Sequence, residues 1–163
     1  MILILQILIY LILFTAAIKA VVWDDPVNGI FFYPKTVQRR VFEMELTTPK
    51  IARKRKAIFF TFLLIGVVAL PVVFIGVWNG ITDFRTAYFQ ALILLETMNW
   101  YDGIVVDSIW VRYSKFWIIS GTEDLSYIKS AKTVLLERSI MSIVYLPVAA
   151  LIAWLAVLIG NIA

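Results

Sequence analysis

The chain has 163 residues and a formal net charge of +4, and 62% of it is hydrophobic while 16% is charged. A soluble domain has about 45–50% apolar and 25% charged residues, so the composition excludes an ordinary soluble protein and a disordered chain and favours the bilayer. There is no Cys and no His, which excludes disulfides, thiolate or imidazole sites for zinc, haem or iron–sulfur groups, and Ser-His or Cys-His catalysis.

The first predicted membrane span covers residues 2–23. Gln6, Thr15 and Lys19 interrupt an otherwise apolar run, and a span needs roughly 20 mostly apolar residues. A cleaved signal peptide is the alternative, but it would have a basic segment before a shorter apolar stretch. No Lys or Arg precedes this run, so the sequence favours a retained span.

The segment after the first span combines turn signals with an amphipathic helix. Residues 24–34 contain Asp-Pro and Asn-Gly pairs, which are typical of turns. A helix is predicted over residues 34–46, with Val37, Val41 and Met44 at i, i+4 and i+7 opposite charged residues. This pattern predicts a helix lying in the membrane surface. The alternative is that its apolar stripe packs on the other long loop.

Three further spans are predicted over residues 57–81, 84–111 and 134–159. The link between the second and third spans is short and contains an Asn-Gly turn signal, so these two spans should form a hairpin. The predicted fold is therefore all-α: an integral membrane four-helix bundle with antiparallel spans, forming a single domain over residues 1–163. A short interfacial amphipathic helix is added in the first loop.

Lys and Arg are concentrated in the two longer loops. The first loop includes the run Arg53-Lys54-Arg55-Lys56, and the second loop includes Arg112, Lys115, Lys129 and Lys132. The bias of basic residues predicts that both loops are cytoplasmic and that both termini and the 79–83 turn lie outside. The basic clusters are expected to anchor the protein to anionic lipid rather than to bind nucleic acid. The expected location is a cell membrane, in particular a bacterial inner membrane.

The third predicted span carries polar side chains at an unusual density. At about 100° per residue, one helical face collects Arg85, Glu96, Asn99, Gly103 and Asp107, with Asp102 on its flank. Charged residues within a span are costly and mark functional sites by default, so this face should point into the protein or a watery cavity. Gly103 should leave room for a group to approach between Asn99 and Asp107.

Two kinds of site follow from these carboxylates. Asp24 and Asp25 end the first span near the predicted depth of Asp102 and Asp107, and several oxygen ligands without His or Cys suit a hard cation such as Mg²⁺, Ca²⁺ or Mn²⁺. A lone Glu96 in low dielectric would instead have a raised pKa and could carry a proton. The sequence predicts cation or proton binding by Glu96, Asn99, Asp102 and Asp107, with supporting charge from Arg85 and Arg112.

A structural role for the same residues is the alternative. Glu96 or Asp107 would then pair with Arg85, Arg112, Arg138 or Lys19, and Asn99 would form an interhelical hydrogen bond. In the second loop, Thr122 is predicted to cap a helix. With Lys115 and Lys129 nearby, that helix end could alternatively hold a head group or phosphate.

The string from Asn99 to Asp107 reads N-x-x-D-G-x-x-x-D. It resembles the Asp-rich, Mg²⁺-binding motifs of UbiA-type prenyltransferases and of CDP-alcohol phosphatidyltransferases. Its aspartates are five residues apart rather than four, and the Ala-Arg pair and later aspartates of the second family are missing, so no activity is carried over. Together with residues 114–117 and 121–124, the string also resembles small four-span bacterial membrane proteins of unassigned function. That resemblance covers the middle fifth of the chain.

The favoured hypothesis is a small transporter or binding component whose polar stripe takes a cation, a proton or a polar head group. Four spans enclose little volume, so a transport path would form within a homo-oligomer or with a larger membrane complex. One alternative is an accessory subunit of such a complex. Another is a membrane enzyme that uses a metal held by Asp102 and Asp107 to act on a lipid or isoprenoid phosphate.

Overall fold

The structure, a computed structural model, describes residues 2–162 and contains no strand within that range. Its helices, in chain order, are α1 (Ile2–Val22), α2 (Lys35–Glu43), α3 (Pro49–Val72), α4 (Phe84–Tyr101) and α5 (Ala131–Gly160). Helix α3 continues as a π-helical segment, Val73–Trp78, and α4 continues as a longer one, Asp102–Trp110, followed by a last turn, Val111–Tyr113. Single 3₁₀ segments occupy Pro26–Phe32 and Lys115–Trp117 in the loops.

Three stretches are long and apolar enough to cross a membrane: α1, residues 49–78 and α5. The all-helical fold expected from the apolar runs is confirmed, since residues 2–162 form helices and no strand. The helix that contains the second predicted span, 57–81, begins earlier, at Pro49, and the basic run lies in its first turns. Helix α4 and its extension also form a continuous helical stretch, over residues 84–113. This stretch is not one of the three, because its acidic and amide side chains make it less apolar.

Short polar side chains fix where three of the helices begin. Thr48, Asp83 and Ser130 each accept a hydrogen bond from the backbone amide three residues further along, at 3.3, 2.8 and 3.1 Å. Such caps satisfy one of the amides that a helix start leaves without a partner. The Asp83 cap also lowers the pKa of this exposed carboxyl, because Thr86 donates to it from its hydroxyl and its amide.

The helix start expected at Thr122 is wrong. The Thr122 hydroxyl donates to the carbonyl of Ile119 at 2.8 Å, and no helix begins there. Helix α5 begins at Ala131, where Ser130 provides the cap. Thr122 is almost completely buried, so its hydroxyl stabilises a turn within the second long loop.

Contacts at one end of the bundle fix the directions of the helices. Gln6 near the start of α1 exchanges hydrogen bonds with Asn79 in the turn after α3, at 2.9 and 3.2 Å, and Asn79 also donates to Gln90 of α4 at 3.0 Å. Gly160 at the end of α5 lies against the carbonyl of Ile81. The start of α1, the 79–83 turn and the end of α5 therefore lie together, and each long helix runs antiparallel to the next one in the chain.

The two long loops meet at the opposite end. The buried Tyr33 hydroxyl donates to the carbonyl of Trp117 at 2.8 Å, and the Tyr33 ring packs near the rings of Trp117 and Tyr127. Burial raises the pKa of Tyr33 above its usual value, so the hydroxyl stays a neutral donor. The loops thus form a packed layer across this end of the helices.

Helix α2 belongs to this layer. Val37 and Val41, which the sequence placed towards lipid, are fully buried in the protein. Arg40 donates to both carboxylate oxygens of Asp124 at 3.3 and 3.2 Å, so α2 is tied to the second loop. The expected membrane-surface face is therefore corrected for Val37 and Val41, which pack inside the protein. Met44, the third residue of the stripe, is 38% exposed and lies against Gly121 of the second loop.

Small residues bring α3, α4 and α5 close together. A Cβ atom added to Gly76 would lie 2.5 Å from the carbonyl oxygen of Ala156. Five alanines at the contacts are fully buried: Ala87 and Ala91 of α4 and Ala149, Ala153 and Ala156 of α5. Close approach through small residues is how helices pack in membranes, where the hydrophobic effect between them is absent.

Candidate functional site

Five charged side chains join α4 to α5 and to the residues just before α5. Arg138 of α5 lies between two carboxylates of α4: its Nη1 is 2.6 Å from Asp102 Oδ2, and its Nη2 is 2.9 Å from Asp107 Oδ2. Lys129 lies 3.3 Å from the same Asp107 oxygen and 2.7 Å from Glu137 Oε2. We call Asp102, Asp107, Lys129, Glu137 and Arg138 the charge cluster.

The π-helical segment of α4 explains why both aspartates reach one arginine. In a regular α-helix the angular spacing of the residues places Asp102 on the flank of the face that carries Asp107. Hydrogen bonding from i to i+5 winds the chain more loosely, so residues five apart approach the same face. The Ser108 hydroxyl donates to the carbonyl of Gly103 at 2.7 Å within this segment. π-Helical turns are found often at functional sites.

The space expected beside Gly103 is filled by Arg138. A Cβ atom added to Gly103 would lie 2.8 Å from Cγ of Arg138 and 3.1 Å from its Cδ and Nε. The missing side chain therefore lets the arginine stem lie across α4 and reach both carboxylates.

A second set of polar contacts continues along the same face of α4. The Asn99 side-chain amide donates to the carbonyl of Arg138 at 2.9 Å and to the Ser142 hydroxyl at 3.2 Å. Ser142 donates to Glu96 at 2.6 Å. The structure thus brings Glu96, Asn99 and Asp107, which the spacing placed on one face, onto one interface with α5, together with Asp102, which the spacing placed on the flank.

Other residues singled out in the sequence lie elsewhere. Arg85 and Arg112 are exposed and form no ion pair within residues 2–162. Asp25 caps the segment after α1 by accepting from the amide of Val27 at 2.8 Å, and Asp24 is exposed. In the part of the chain that is described, no three acidic side chains lie together as a metal ion would need, so Asp24 and Asp25 do not join Asp102 and Asp107.

The basic residues expected near a head group or phosphate also separate. Lys115 is exposed, whereas Lys129 is half-buried in the charge cluster, with carboxylates as its partners. Burial alone would lower the pKa of Lys129, but the hydrogen bond to Glu137 and the charge of Asp107 outweigh it and raise that pKa. Lys19, another possible partner for the stripe, instead lies 4.2 Å from the centre of the Phe116 ring.

A cavity of about 400 Å³ lies beside the charge cluster, between the four long helices and the loop layer. Asp102, Asp107, Lys129 and Arg138 form its charged wall. The rest is mainly aromatic and aliphatic, with these members among others: Phe14, Phe31, Phe32, Phe59, Leu63, Val67, Met98, Trp117, Tyr127, Met141 and Tyr145. A mostly apolar volume with a few polar groups at one place is the usual form of a small-molecule site.

Three residues that line this cavity each hold a buried polar atom without a hydrogen-bond partner. The atoms are Asn99 Oδ1, Trp117 Nε1 and Arg138 Nε. Within residues 2–162 these are the buried side-chain polar atoms left without a partner. Each of these atoms is covered by protein, and a buried polar group without a partner costs about 1–3 kcal/mol, so the three residues beside the cavity reduce the stability of the fold.

A second space, of about 600 Å³, forms a groove between α1 and α3. Five side chains line both the groove and the cavity: Phe14, Phe59, Leu63, Val67 and Met98. Asn28 and Arg55 lie on the groove, towards the loop layer. The cavity and the groove thus share part of their lining.

The sequence reasoning missed three parts of this site. The sequence named Arg138 only as one of several possible partners for Glu96 or Asp107, although an arginine inside an apolar run itself indicates a functional site. The aromatic wall has no local signature, because its members come from α1, α3, α5 and both loops. The π-helical winding has no signal in the residue types.

The arrangement combines a charged wall with an apolar volume inside a helical bundle. It can hold a molecule with a polar end and a long apolar part. Comparison of the chain with known protein families, with curated proteins and with solved structures gives no match.

Proposed function

We propose that this protein is a four-span membrane protein that binds an amphipathic molecule, as a binding or transport component for that molecule. The polar head would lie against the charge cluster, and the apolar part would extend between the helices towards the groove. The observation that carries the proposal is a single cavity with four charged residues on one wall and aromatic and aliphatic side chains on the others.

The continuity of α4 supports its assignment as the fourth span. Residues 84–113 form one helix packed against α5 through fully buried alanines. Its charged face is turned towards Arg138 and Ser142, which is how spans accommodate ionisable residues. The basic residues favour an orientation in a cell membrane with the loop layer on the cytoplasmic side.

The groove supplies a route from the lipid. Leu64, on the other side of α3, is 64% exposed and is expected to face acyl chains, whereas its neighbour Leu63 is partly buried and lines both the groove and the cavity. An amphipathic molecule could therefore enter sideways between α1 and α3 if the shared side chains moved aside. Such an entry would keep its apolar part out of water throughout.

The test is retention of an amphipathic molecule by the purified protein. The protein would be extracted from vesicles of mixed phosphatidylethanolamine, phosphatidylglycerol and cardiolipin and examined by native mass spectrometry. We expect one bound molecule per chain in the wild type and loss of that molecule in Leu63→Trp, where the larger ring fills the cavity.

Leu64→Trp is the matched control. It makes the same change one residue away on the surface expected to face lipid, so retention should stay at the wild-type level. Equal retention in both variants, or no retained molecule in the wild type, would contradict the proposal.

A further inference from the structure

We infer that the groove between α1 and α3 holds one acyl chain of an anionic phospholipid, with the phosphate of that lipid at Arg55. The charged residues of the cavity do not line this groove, so the head group binds at a different place from the charge cluster. The lipid would bind there whether or not the cavity takes a molecule of its own, and the site therefore goes beyond the proposed function.

The groove is apolar and open towards the medium around the bundle. Leu13, Ile58 and Phe62 line it and are exposed. Gly66 also lines it, and a Cβ atom added there would meet nothing within 4 Å, so there is room beside α3. Both helices belong to stretches long and apolar enough to cross a membrane. In a bilayer, the acyl chains of lipids are the molecules that surround such a groove and fit it.

The length of the groove matches one leaflet of a bilayer. Along α1 its lining runs from Tyr10 to Trp23, and along α3 it runs from Arg55 to Leu70. At about 1.5 Å per residue each stretch is roughly 20 Å long, which is close to half of the roughly 40–45 Å that a bilayer measures with its head-group regions. A phospholipid whose head group lies at Arg55 would therefore have the end of its chain near the middle of the membrane.

The end of the groove beside the loop layer has the residues expected at head-group level. Trp23, directly after α1, lines the groove and is exposed, and tryptophan is enriched where a membrane meets water. Arg55 belongs to the basic run in the first turns of α3, and such runs favour the cytoplasmic surface. The polar end of the groove thus lies where a lipid carries its phosphate.

Arg55 gives the groove a positive charge. It is the one charged residue among the described residues that line the groove. It is half-buried and forms no ion pair within residues 2–162. A guanidinium binds phosphate through two parallel hydrogen bonds, and basic pockets between membrane helices on the cytoplasmic side bind anionic lipid head groups. The charge of the groove therefore favours an anionic lipid over a zwitterionic one with the same chains.

The groups at the end of α1 leave Arg55 available. Asp24 and Asp25, which follow α1, do not line the groove. The carbonyl of Val22 already accepts from the amide of Asp25 at 2.9 Å and from the side chain of Asn28 at 3.4 Å. Asn28 lines the same end of the groove as Arg55, and its side-chain amide has a second N–H, which would donate to an oxygen of the head group.

The experiment is made in vesicles, because a lipid in an open groove exchanges with the bilayer. Phosphatidylglycerol and phosphatidylcholine that carry the same diazirine-labelled acyl chain would be added in small amounts, and mass spectrometry would locate the labelled residues after irradiation. We expect phosphatidylglycerol to label Leu13 and Phe62 about fivefold more than phosphatidylcholine does. Leu151 and Trp154, which are exposed on α5 and do not line the groove, should be labelled equally by both lipids.

One pair of variants tests the head group. Arg55→Gln should remove most of the preference for phosphatidylglycerol at Leu13 and Phe62. Arg53→Gln removes the same charge from the same basic run, but Arg53 is exposed and does not line the groove, so the preference should remain.

A second pair tests the place of the acyl chain. Ala17 lines the groove but not the cavity, so Ala17→Trp should fill the groove and lower the labelling of Leu13 and Phe62 by both lipids. Ala16→Trp makes the same change at an exposed neighbour that lines neither space and should leave the labelling at the wild-type level.

Three results would overturn the inference. They are equal labelling of the groove by the two lipids, a preference that survives Arg55→Gln, and labelling that is the same in Ala17→Trp as in Ala16→Trp. Unlabelled groove residues in the wild type would also overturn it, since protein such as a second copy of this chain would then cover the groove. None of these results bears on the proposed function, whose failure would appear as equal retention in Leu63→Trp and Leu64→Trp or as no retained molecule.

Discussion

Arg138 lies between two aspartates with little water around them: the side chains of Arg138, Asp102 and Asp107 are 13%, 24% and 19% exposed. Removing one partner from a buried ion pair leaves the other charge uncompensated. We therefore expect Arg138→Met to lower the free energy of unfolding by about 3–5 kcal/mol. Thermal unfolding in dodecyl maltoside would measure the loss.

Arg112→Met is the control for that prediction. Arg112 is an exposed arginine at the end of the α4 extension with no ion pair in the described part of the chain, so its loss should change the stability by less than about 0.5 kcal/mol. An Arg138→Met variant as stable as Arg112→Met would mean that the two aspartates do not depend on this arginine.

Lys129 makes a pH-dependent contribution. Its pKa in the folded protein is raised by Glu137 and Asp107 against the effect of burial. A raised pKa means that the ion pairs contribute fully below the unfolded value of about 10.4 and that this contribution is lost as the pH rises through the higher folded value. The melting temperatures of wild type and Lys129→Met should differ at pH 8, and the difference should begin to shrink above about pH 10.5.

Lys132→Met controls for the loss of a lysine in the same region, since Lys132 is exposed and has no ion pair among residues 2–162. Its melting curve should follow the wild type at every pH. A gap between wild type and Lys129→Met that stays constant up to pH 11 would contradict the account of the lysine.

Part of the site could be predicted from single residues. Glu96, Asn99 and Asp107 repeat at helical spacing in an apolar run, so their common face follows from geometry alone. Their partners could not be predicted in the same way. Arg138 is about thirty or more residues away in sequence, and which arginine meets the carboxylates depends on how α5 packs on α4.

At the scale of elements, two glycines of the α3 helix should respond to alanine in opposite directions. Gly76 lies against α5, and a Cβ there would be 2.5 Å from the Ala156 carbonyl oxygen, whereas a Cβ at Gly66 meets nothing within 4 Å. We expect Gly76→Ala to destabilise the protein by about 1–3 kcal/mol, because backbone must move. Gly66→Ala should stabilise it by about 0.5–1 kcal/mol through helix propensity.

Equilibrium unfolding of the two variants side by side measures both changes. Opposite signs would establish that α3 and α5 touch at Gly76. The same sign for both variants would show that the close approach of these helices is absent.

The elements themselves were predictable to different degrees. Long apolar runs predict α1, α3 and α5, and the helix of residues 84–113, because hydropathy and helical period are local properties. The burial of α2 was not predictable, since an amphipathic stripe fits a membrane surface and a protein surface equally well. Thr122 has the residue type of a cap, but the loop layer uses its hydroxyl for a turn instead.

At the scale of the whole molecule, the four-span proposal predicts which segments share a side of the membrane. Lys50 and Ser126 are exposed near the loop layer, and Thr82 is exposed in the turn at the other end. Single cysteines at these positions in inside-out vesicles should react with a membrane-impermeant maleimide at Lys50→Cys and Ser126→Cys. Thr82→Cys should react only in right-side-out vesicles. Reaction of Thr82→Cys and Ser126→Cys from the same side would exclude α4 as a span.

The cavity is formed only when the whole molecule packs together. Its walls come from four helices and two loops, so no window of sequence contains its signature, and its aromatic residues look like ordinary membrane-facing residues when taken singly. The charged face of α4 predicts that something polar lies inside the bundle. The volume beside it depends on how the helices pack, and our proposal of an amphipathic rather than a purely ionic ligand is based on that volume.

The central claim is that an amphipathic molecule binds inside the bundle, and methionine methyl groups test it most directly. Met98 and Met141 line the cavity, whereas Met44 lies in the loop layer against Gly121. We would titrate dodecylammonium into the protein in deuterated detergent and follow ¹³C-labelled methionine methyl resonances by NMR. Shifts of Met98 and Met141 that saturate at one equivalent, with Met44 unchanged and with no such shifts in Leu63→Trp, are the predicted result. Shifts that never saturate, or that persist unchanged in Leu63→Trp, would contradict binding in the cavity.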